Sequence, residues 1–341
     1  MQFVSQKAEI LERSESKINN IANVARICYK SENKADDESN KRLIENLIKN
    51  KHFAMLEHED YILYFKNADD FVEYCKLISD VECWFGIKLY LIATNTQLIS
   101  GNIRAWRNFY KYVSFYIKAV YKNESKNIHI PVPNVLRDNI FFDDVLDNNG
   151  LFAFDINNDI VKFDKSDLTI KNEILSHYRV SAKIICDRGI SHELVRHRGF
   201  SFAQESTRYV NYQNKEIQFI DYTDFKNYFN DEHSFNYFML YNHSNSGYAT
   251  NIYKDMTFRG IQPQFARNVL PHNLKTEIVI TGNIREWLHF FNLRLFERTG
   301  KAHPFIKDLA EQLYNEFEIK TPISKKLIDS WSAEMWDNEN E

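Results

Sequence analysis

Residues 196–209 read RHRGFSFAQESTRY and form the densest group of cationic and hydrogen-bonding side chains in the chain. Three cationic or cation-capable residues begin the segment, polar uncharged side chains follow, and Arg208 stands near its end. A planar guanidinium can donate two parallel hydrogen bonds to phosphate oxygens. Ser206 and the N–H groups of a turn could complete an anion-binding cradle. The alternative is a solvated loop at a helix end, where arginine complements the helix dipole.

The periodicity around this segment predicts alternating strands and helices. A strand over 178–186 and a short helix with Ser191 as its N-cap precede it. Residues 209–247 are aromatic and polar and show no clear period. The other predicted elements are helices over 38–50, 110–121, 249–258, 283–299 and 304–318, a strand over 61–65, and a helix capped by Asn67 or Asp69. Residues 123–172 are predicted to be loops and short strands.

Composition narrows the classes of protein to which the chain can belong. The 341 residues include only nine glycines, no two of them closer than ten residues. That spacing excludes the G-x-G-x-x-G loop, the Walker A loop and the G-x-S-x-G elbow. With 44% hydrophobic and 15% aromatic residues the chain can bury a large core. A net charge of −4 argues weakly against a dedicated nucleic-acid binder.

Cysteine spacing and hydropathy suggest neither a metal site nor a membrane segment. No two of the four cysteines have C-x-x-C spacing, and no stretch reaches about 18 consecutive apolar residues. His192 and His197 resemble part of an H-E-x-x-H zinc motif, but they lie five residues apart and therefore on different faces of a helix. We therefore expect a cytoplasmic protein with no metal and no membrane contact.

One short stretch occurs twice in the chain. Residues 100–106 read SGNIRAW and residues 281–287 read TGNIREW. The similarity does not extend further, so a duplicated domain is not expected. The shared pattern is typical of a glycine that ends a strand followed by an asparagine that caps a helix. Trp106 and Trp287 are predicted to lie in the core.

Five blocks of the sequence resemble the flavin-dependent thymidylate synthases. The signature of that family is R-H-R, seven residues, then Ser, any residue, Arg and Tyr, and residues 196–209 match it. The other blocks occur in the family's order: ARIC at 25–28, NKHFAMLEH at 50–58, FARNVLP at 265–271 and NIREWLHFFNLR at 283–294. The resemblance covers about 1–65 and 173–320.

The resemblance implies a fold and a domain organisation. It implies an α/β (α+β) fold with a mixed sheet and flanking helices, different from the Rossmann fold. The predicted core comprises 1–65 and 173–325. Residues 66–172 would be an insertion within the same domain, and 326–341 a polar tail.

The resemblance also implies an activity. Members of the family convert dUMP to dTMP with methylenetetrahydrofolate as carbon donor, FAD as redox carrier and NADPH as reductant. They form homotetramers with active sites shared between subunits, and neither nucleic acid nor membrane is among the expected partners. The flavin carries the chemistry, so no enzyme nucleophile is expected. None of the four cysteines follows a proline, as the nucleophile of the other class of thymidylate synthase typically does.

Carried over position by position, the resemblance assigns roles to individual residues. The residues implied to contact FAD are Arg196, His197, Arg198, Gln204, Asn283, Ile284, Arg285 and His289. Those implied to contact dUMP are Glu193, Gln204, Glu205, Ser206, Arg208, Arg267 and Arg294. Arg294 and His52 are the implied catalytic residues. Arg294 stays protonated and would stabilise negative charge developing at N3 and O2 of uracil.

Three residues depart from the family pattern. Glu193 stands where glutamine is usual, Ala54 where threonine is usual, and Cys28 where serine is usual. A carboxylate at position 193 would repel a nucleotide phosphate unless Arg196 or another cation neutralises it. Two alternatives therefore stay open: a flavin- or nucleotide-binding homologue without turnover, and an RNA-binding module whose basic loop and aromatic residues grip phosphates and bases.

Overall fold

The computed structural model describes residues 1–121, 129–133, 136, 140–142, 153–157, 160–162 and 175–340. These residues form two compact units. Unit 1 comprises Met1–Asn40 and Val180–Glu341, and unit 2 comprises Lys41–Arg179. This division places residues 41–65 with the segment 66–172, whereas the family resemblance places them with the core. The predicted domain boundaries stay a prediction, and most of the predicted loops over 123–172 lie outside the described residues.

Unit 1 is built around a four-stranded sheet and also contains a separate pair of strands. Among the described residues, the strands of the unit are β1 (Gln2–Val4), β2 (Lys7–Ile10), β9 (Arg179–Asp187), β10 (Ser201–Gln204), β11 (Gln218–Ile220) and β12 (Lys275–Asn283). Its helices are α1 (Lys17–Tyr29), α5 (Arg188–Leu194), α6 (Glu232–Phe258), α7 (Pro263–Ala266), α8 (Ile284–Arg294), α9 (Pro304–Lys320) and α10 (Lys325–Asn340). The sheet has the order β10–β12–β9–β2, and β1 pairs with β11 in a separate parallel pair.

Unit 2 contains a second four-stranded sheet and a further pair of strands. The described strands of the unit are β3 (Asp60–Phe65), β4 (Ile92–Thr94), β5 (Leu98–Asn102), β6 (His129–Pro133), β7 (Ala153–Asn157) and β8 (Ile160–Lys162). Its helices are α3 (Ala68–Phe85) and α4 (Ile103–Tyr121), and α2 (Asp37–Lys49) spans the boundary between the units. The sheet has the order β4–β5–β3–β8, and β6 pairs with β7 in parallel.

The pairing directions confirm a mixed α/β fold that is not a Rossmann fold. In unit 1, β10 pairs antiparallel with β12 and β2 pairs antiparallel with β9. In unit 2, β3 pairs antiparallel with both β5 and β8, and β4 with β5. A Rossmann sheet is mostly parallel, with crossover helices between its strands. Helices pack against both four-stranded sheets, as the sequence predicted.

Three helix starts differ from those predicted. Helix α4 begins at Ile103 and not at 110. The carboxylate of Asp187 accepts a hydrogen bond from the N–H of Ile190 at 2.6 Å and begins α5, so the prediction of Ser191 as N-cap was wrong. Helix α6 begins after Asp231 and not near 249. Its N-terminal half shows no helical period in the sequence because large side chains such as Tyr237 and Tyr241 are exposed on it.

The repeated stretch forms the same junction in both units. The side chain of Asn283 accepts a hydrogen bond from the N–H of Glu286 at 3.0 Å, and that of Asn102 accepts one from the N–H of Ala105 at 2.8 Å. Trp287 and Trp106 are fully buried. Both predictions, a capping asparagine after the end of a strand and a core tryptophan, are confirmed.

The C-terminal residues form a helix that packs on unit 1. In α10, Trp331 and Ser332 are buried, and Asn292 of α8 donates a hydrogen bond from Nδ2 to the carbonyl of Ser332 at 3.0 Å. The segment predicted as a polar tail therefore contributes apolar surface to the core of unit 1. None of the helices in the described part of the chain combines the length and the apolar character needed to cross a bilayer.

Candidate functional site

The R-H-R segment lies in a tight turn between α5 and β10. The N–H of Arg196 donates to the carbonyl of Glu193, and the N–H of His197 donates to that of Leu194, both at 3.1 Å. The turn buries His197, which is 8% exposed, and leaves Arg196 and Arg198 exposed. Two guanidiniums therefore face solvent on either side of an imidazole that is held inside unit 1.

Arg294, at the end of α8, joins this turn to α5. Its Nε donates a hydrogen bond to Nε2 of His197 at 3.1 Å, and its Nη1 contacts Oε2 of Glu193 at 3.2 Å. Burial, together with the positive charge of Arg294 and the proximity of His289, lowers the pKa of His197 to about 4. His197 is therefore neutral at pH 7, and its Nε2 can accept the hydrogen bond that Arg294 donates.

The contact with Arg294 shows which cation compensates the carboxylate at position 193, where the family usually has glutamine. The cation that neutralises Glu193 is Arg294, which lies on another helix, and not its near neighbour Arg196. The residue implied to contact uracil is consequently paired to a carboxylate of the chain itself. Because the two side chains are 22% and 36% exposed, the pair is partly screened by water.

The side chain of Glu205 is buried, and its carboxylate lies close to two lysine ammonium groups. The hydroxyl of Tyr212 donates to its Oε1 at 2.5 Å, and the ammonium groups of Lys30 and Lys275 each lie 3.5 Å from its Oε2. Its backbone N–H donates to the carbonyl of Glu277 at 2.8 Å. Glu205 thus fixes the end of β10 to α1 and β12, and its implied contact with dUMP stays a prediction.

Glu277 completes what we call the lysine–glutamate cluster, formed by Lys30, Lys183, Lys275, Glu205 and Glu277. The carboxylate of Glu277 accepts hydrogen bonds from Lys30 and Lys275 and lies 2.9 Å from the ammonium of Lys183. Burial would raise the pKa of Glu277, but the three lysines outweigh it and lower that pKa to about 2. The cluster combines three positive and two negative charges, and one of its carboxylates, Glu205, belongs to the signature segment 196–209.

Gln204 and Ser206 lie on either side of Glu205 and are anchored differently. Nε2 of Gln204 donates to the hydroxyl of Ser191 at 2.9 Å, which ties the end of β10 to α5. The N–H of Ser206 donates to the carbonyl of Cys28 at 3.0 Å. The hydroxyl of Ser206 accepts from the N–H of Arg208 at 3.3 Å, and the exposed guanidinium of Arg208 lies 5.2 Å from the ring centre of Tyr209.

A cavity of about 310 Å³ opens next to this segment. Its lining consists of Arg188, His192, Thr207, Arg267, Asn268, Leu270, Pro271, His272 and Leu274. Nη1 of Arg267 donates to the hydroxyl of Thr207 at 3.4 Å. No carboxylate is among these lining residues, whereas two arginines and two histidines are. The structure therefore places Arg267, an implied substrate contact, in a cationic cavity beside the signature segment.

Arg188 is a site residue that the sequence reasoning missed. Its Nη1 is buried and has no hydrogen-bond partner among the described residues. Burial lowers the pKa of Arg188, and the like charge of Arg267 lowers it as well. A buried donor without a partner costs about 1–3 kcal/mol, and a bound anion would remove that cost. The available signal was the position of Arg188 in the first turn of a helix, where a cation opposes the helix dipole.

The start of α8 brings the remaining implied cofactor residues to one end of unit 1. Asn283 is buried as the N-cap, and Ile284 is buried with 1% of its surface exposed. Arg285 is exposed and His289 is half-buried. Ile284 could therefore meet a ligand only through its backbone, whereas Arg285 and His289 present side chains. Their roles stay predictions.

His52 lies in unit 2, apart in the chain from the residues above. It is exposed and directly precedes a 3₁₀ turn over Phe53–His58. Its implied catalytic role stays a prediction. Within the described ranges, no group of three or more His, Cys, Asp or Glu side chains is arranged to hold a metal ion.

Comparisons with known proteins match one family model and several relatives. A family model described as thymidylate synthase complementing protein matches residues 9–74 and 170–323. The flavin-dependent thymidylate synthase of Pyrococcus furiosus is 37% identical over 82 residues, which cover 24% of this chain and 32% of that protein. The enzyme of the same description from Pyrococcus horikoshii is 40% identical over 74 residues, 22% of this chain and 28% of that protein. The matched stretches thus span about a third of these relatives.

Among solved structures, the chain is similar to a UMP/dUMP methylase, PolB, from Streptomyces cacaoi, crystallised with 5-Br dUMP. The TM-score is 0.41 and the sequence identity 15%, over 97% of each chain.

Proposed function

Because the chain belongs to the thymidylate synthase complementing protein family, we propose that it is a flavin-dependent thymidylate synthase. It converts dUMP to dTMP with methylenetetrahydrofolate as carbon donor, FAD as redox carrier and NADPH as reductant. The observation that carries this proposal is the cationic cavity beside residues 196–209, which Arg188 and Arg267 line and which has no carboxylate among its lining residues.

The cavity and Arg294 together fit the two ends of a nucleotide. His192 lines the cavity, and the next residue, Glu193, contacts Arg294. A phosphate bound by Arg188 and Arg267 would therefore place the rest of the nucleotide near α5 and the end of α8. The permanent charge of Arg294 suits it to stabilise electron density pushed onto the uracil ring.

The exposed residues around the turn fit a flavin dinucleotide. Arg196, Arg198 and Arg285 are exposed, and none forms an ion pair with a carboxylate in the described part of the chain. Guanidiniums of this kind suit the pyrophosphate of FAD. The bound flavin supplies the redox chemistry, while the chain positions it and excludes competing reactions. Neutral His197 holds Arg294 in place through its Nε2.

The cysteines are consistent with a reaction that uses no enzyme nucleophile. Burial raises the pKa of the Cys28 thiol to about 12, and burial raises the pKa of Cys186 as well. A thiol reacts as the thiolate, so these two groups stay inert at neutral pH. The family resemblance further supports a cytoplasmic homotetramer with active sites shared between subunits, which we include in the proposal.

A purified sample tests the assignment directly. We expect a yellow protein that releases FAD on denaturation and forms dTMP from dUMP in the presence of NADPH and methylenetetrahydrofolate. Arg196→Ala should lose flavin, and Arg294→Ala should keep flavin but lose dTMP formation. Arg259→Ala is the matched control, because Arg259 is exposed directly after α6 and, among the described residues, forms its ion pair with Asp255. A colourless protein that takes up no added FAD would refute the assignment.

The contact between Glu193 and Arg294 favours a second candidate: a homologue that binds flavin and nucleotide without turnover. A paired Arg294 carries less effective charge toward uracil. Retained FAD and dUMP binding, with no dTMP formed by the wild type, would support this candidate. Turnover by the wild type would eliminate it.

A further inference from the structure

The sheets of the two units have the same topology. In unit 1 the chain runs from β9 through α5 and β10 to β12 and α8, with β11, α6 and α7 inserted between β10 and β12. In unit 2 it runs from β3 through α3, β4 and β5 to α4 without such an insertion. The strand orders, β10–β12–β9–β2 and β4–β5–β3–β8, then correspond strand by strand. Only the fourth strand differs in origin, because β2 precedes its sheet in the sequence and β8 follows it.

The register of the short edge strands also corresponds. In each sheet the first residue of the edge strand pairs with the residue two positions before the capping asparagine. These pairs are Ser201 with Thr281 and Ile92 with Ser100. The next two residue pairs along each pair of strands keep this register. A shift of one residue would turn every side chain to the other face, so identical register is a demanding criterion.

The register at the other edge of each sheet, where β9 pairs with β2 and β3 pairs with β8, also corresponds. The indole Nε1 of Trp287 donates to the carbonyl of Val180 at 3.2 Å, and that of Trp106 donates to the carbonyl of Tyr61 at 3.3 Å. Counted from these two carbonyls, the residues two, three and four positions further along pair with the fourth strand in both sheets. The pairs are Ala182–Ile10, Lys183–Glu9 and Ile184–Ala8 in unit 1, and Leu63–Lys162, Tyr64–Val161 and Phe65–Ile160 in unit 2.

The two glycines of the repeated stretch have equivalent surroundings. A Cβ at Gly282 would lie 2.6 Å from Cδ1 of Phe200, and a Cβ at Gly101 would lie 2.5 Å from Cδ2 of Leu91. Phe200 and Leu91 are each the residue directly before the edge strand. Both central strands therefore need glycine for the same reason, which is close approach of the side chain that leads into the edge strand.

From these independent agreements we infer that residues 60–113 of unit 2 are a second, divergent copy of the fold formed by 180–294, and that this copy has lost the nucleotide site. No duplication was expected from the sequence, because identity survives only at the strand-to-helix junction. Buried contacts and register are preserved elsewhere by residues of different type, which a comparison of letters does not detect.

The residues at equivalent positions show what the second copy lacks. Counted back from the edge strand, Ile87, Lys88 and Leu89 stand where unit 1 has the R-H-R segment. Counted from the capping asparagine, buried Val113 stands where unit 1 has Arg294. Such side chains offer no guanidinium fork to a phosphate or to uracil. We therefore assign one flavin and one dUMP to each chain, with no second pair of ligands bound through residues 60–113; this stoichiometry rests on the proposed function.

One charged residue of the junction is retained, and in unit 2 it has a partner within the protein. Arg104 in α4 is equivalent to Arg285 in α8, and both are exposed. The guanidinium of Arg104 lies 2.5 Å from the carboxylate of Glu57, whereas Arg285 has no ion pair among the described residues. A cation in the first turn of a helix opposes the helix dipole. In unit 2 the compensating anion is a side chain of the protein itself.

Matched cap variants test the equivalence and the functional difference together. Asn102→Ala and Asn283→Ala each remove the same N-cap hydrogen bond, so both should lower the midpoint of thermal unfolding to a similar extent. Only Asn283→Ala should lower the FAD content and the affinity for dUMP, and the wild type should hold one FAD per chain. Two FAD per chain, or release of FAD by Asn102→Ala, would overturn the assignment of a single site.

A cross-linking experiment tests the duplication without reference to flavin. Directly paired residues of antiparallel strands lie within disulfide distance. The double variants Ile92→Cys/Ser100→Cys and Ser201→Cys/Thr281→Cys should both form disulfides. Their counterparts shifted by one residue, Ile92→Cys/Ile99→Cys and Ser201→Cys/Ile280→Cys, should not. Disulfide formation in one unit only would refute the equivalence, whereas failure of the wild type to bind FAD would refute only the proposed function.

Discussion

Replacing Glu277 by glutamine should remove a stabilising charge from the centre of unit 1. The pKa of Glu277 falls from 4.5 to about 2 in the folded chain because three lysines surround a carboxylate that is only 9% exposed. Each pKa unit corresponds to about 1.4 kcal/mol, so the ionised carboxylate contributes about 3 kcal/mol to folding at pH 7. The variant also leaves Lys30, Lys183 and Lys275 with Glu205 as their one carboxylate in the cluster.

The pH dependence of this effect has a defined sign. Because the folded pKa is lowered, the contribution of Glu277 is complete above about pH 4.5 and disappears as the pH falls toward 2. Urea unfolding of the wild type and Glu277→Gln at pH 7, 5, 4 and 3 should show a difference of about 3 kcal/mol that shrinks below pH 4.5. Glu45→Gln, at an exposed position on α2, is the control and should change little. A difference at pH 7 below about 1 kcal/mol, or one that does not change with pH, would refute the reasoning.

Three further substitutions probe the site and its scaffold. Arg188→Met should weaken dUMP binding about tenfold or more and leave deoxyuridine binding unchanged, because it removes a charge-assisted donor from the cavity; calorimetry with both ligands checks this, and equal losses would contradict it. Glu193→Gln should raise dUMP affinity up to about fivefold by freeing Arg294 from a half-exposed ion pair, and an unchanged Kd would count against that competition. Gly282→Ala should cost about 1–3 kcal/mol in denaturant unfolding, because its Cβ would overlap the buried ring of Phe200, and wild-type stability would show that the ring can move.

The local signals in the sequence predicted most elements with strong periodicity or clear caps. Asn283 and Asn67 cap helices as expected, and α2, α9 and β3 lie within a few residues of their predicted bounds. The predictions were wrong where the side chains that mark a helix face solvent. The N-terminal half of α6 is the main example, because its exposed aromatic residues hide the helical period.

Some residues of the candidate site were predicted from the sequence, whereas others were found only in the structure. The resemblance pointed to Arg267 and Arg294, and the structure places Arg267 in the cationic cavity and Arg294 against His197 and Glu193. It did not point to Arg188. Arg188 and Arg267 line the same cavity, although the two positions are far apart in the sequence. Nor could it show that Glu205 faces lysines from α1 and β12.

The sequence by itself determined the family, the order of its motifs and the absence of a glycine-rich loop. These properties depend on residue types at fixed spacing, which a linear pattern records. Only the tertiary structure decided which charges lie together: Arg294 with Glu193, Glu277 with three lysines, and Arg188 with Arg267 in the lining of one cavity. It also revealed the second copy of the fold, because hydrogen-bond register and burial survive changes of residue type that erase sequence identity.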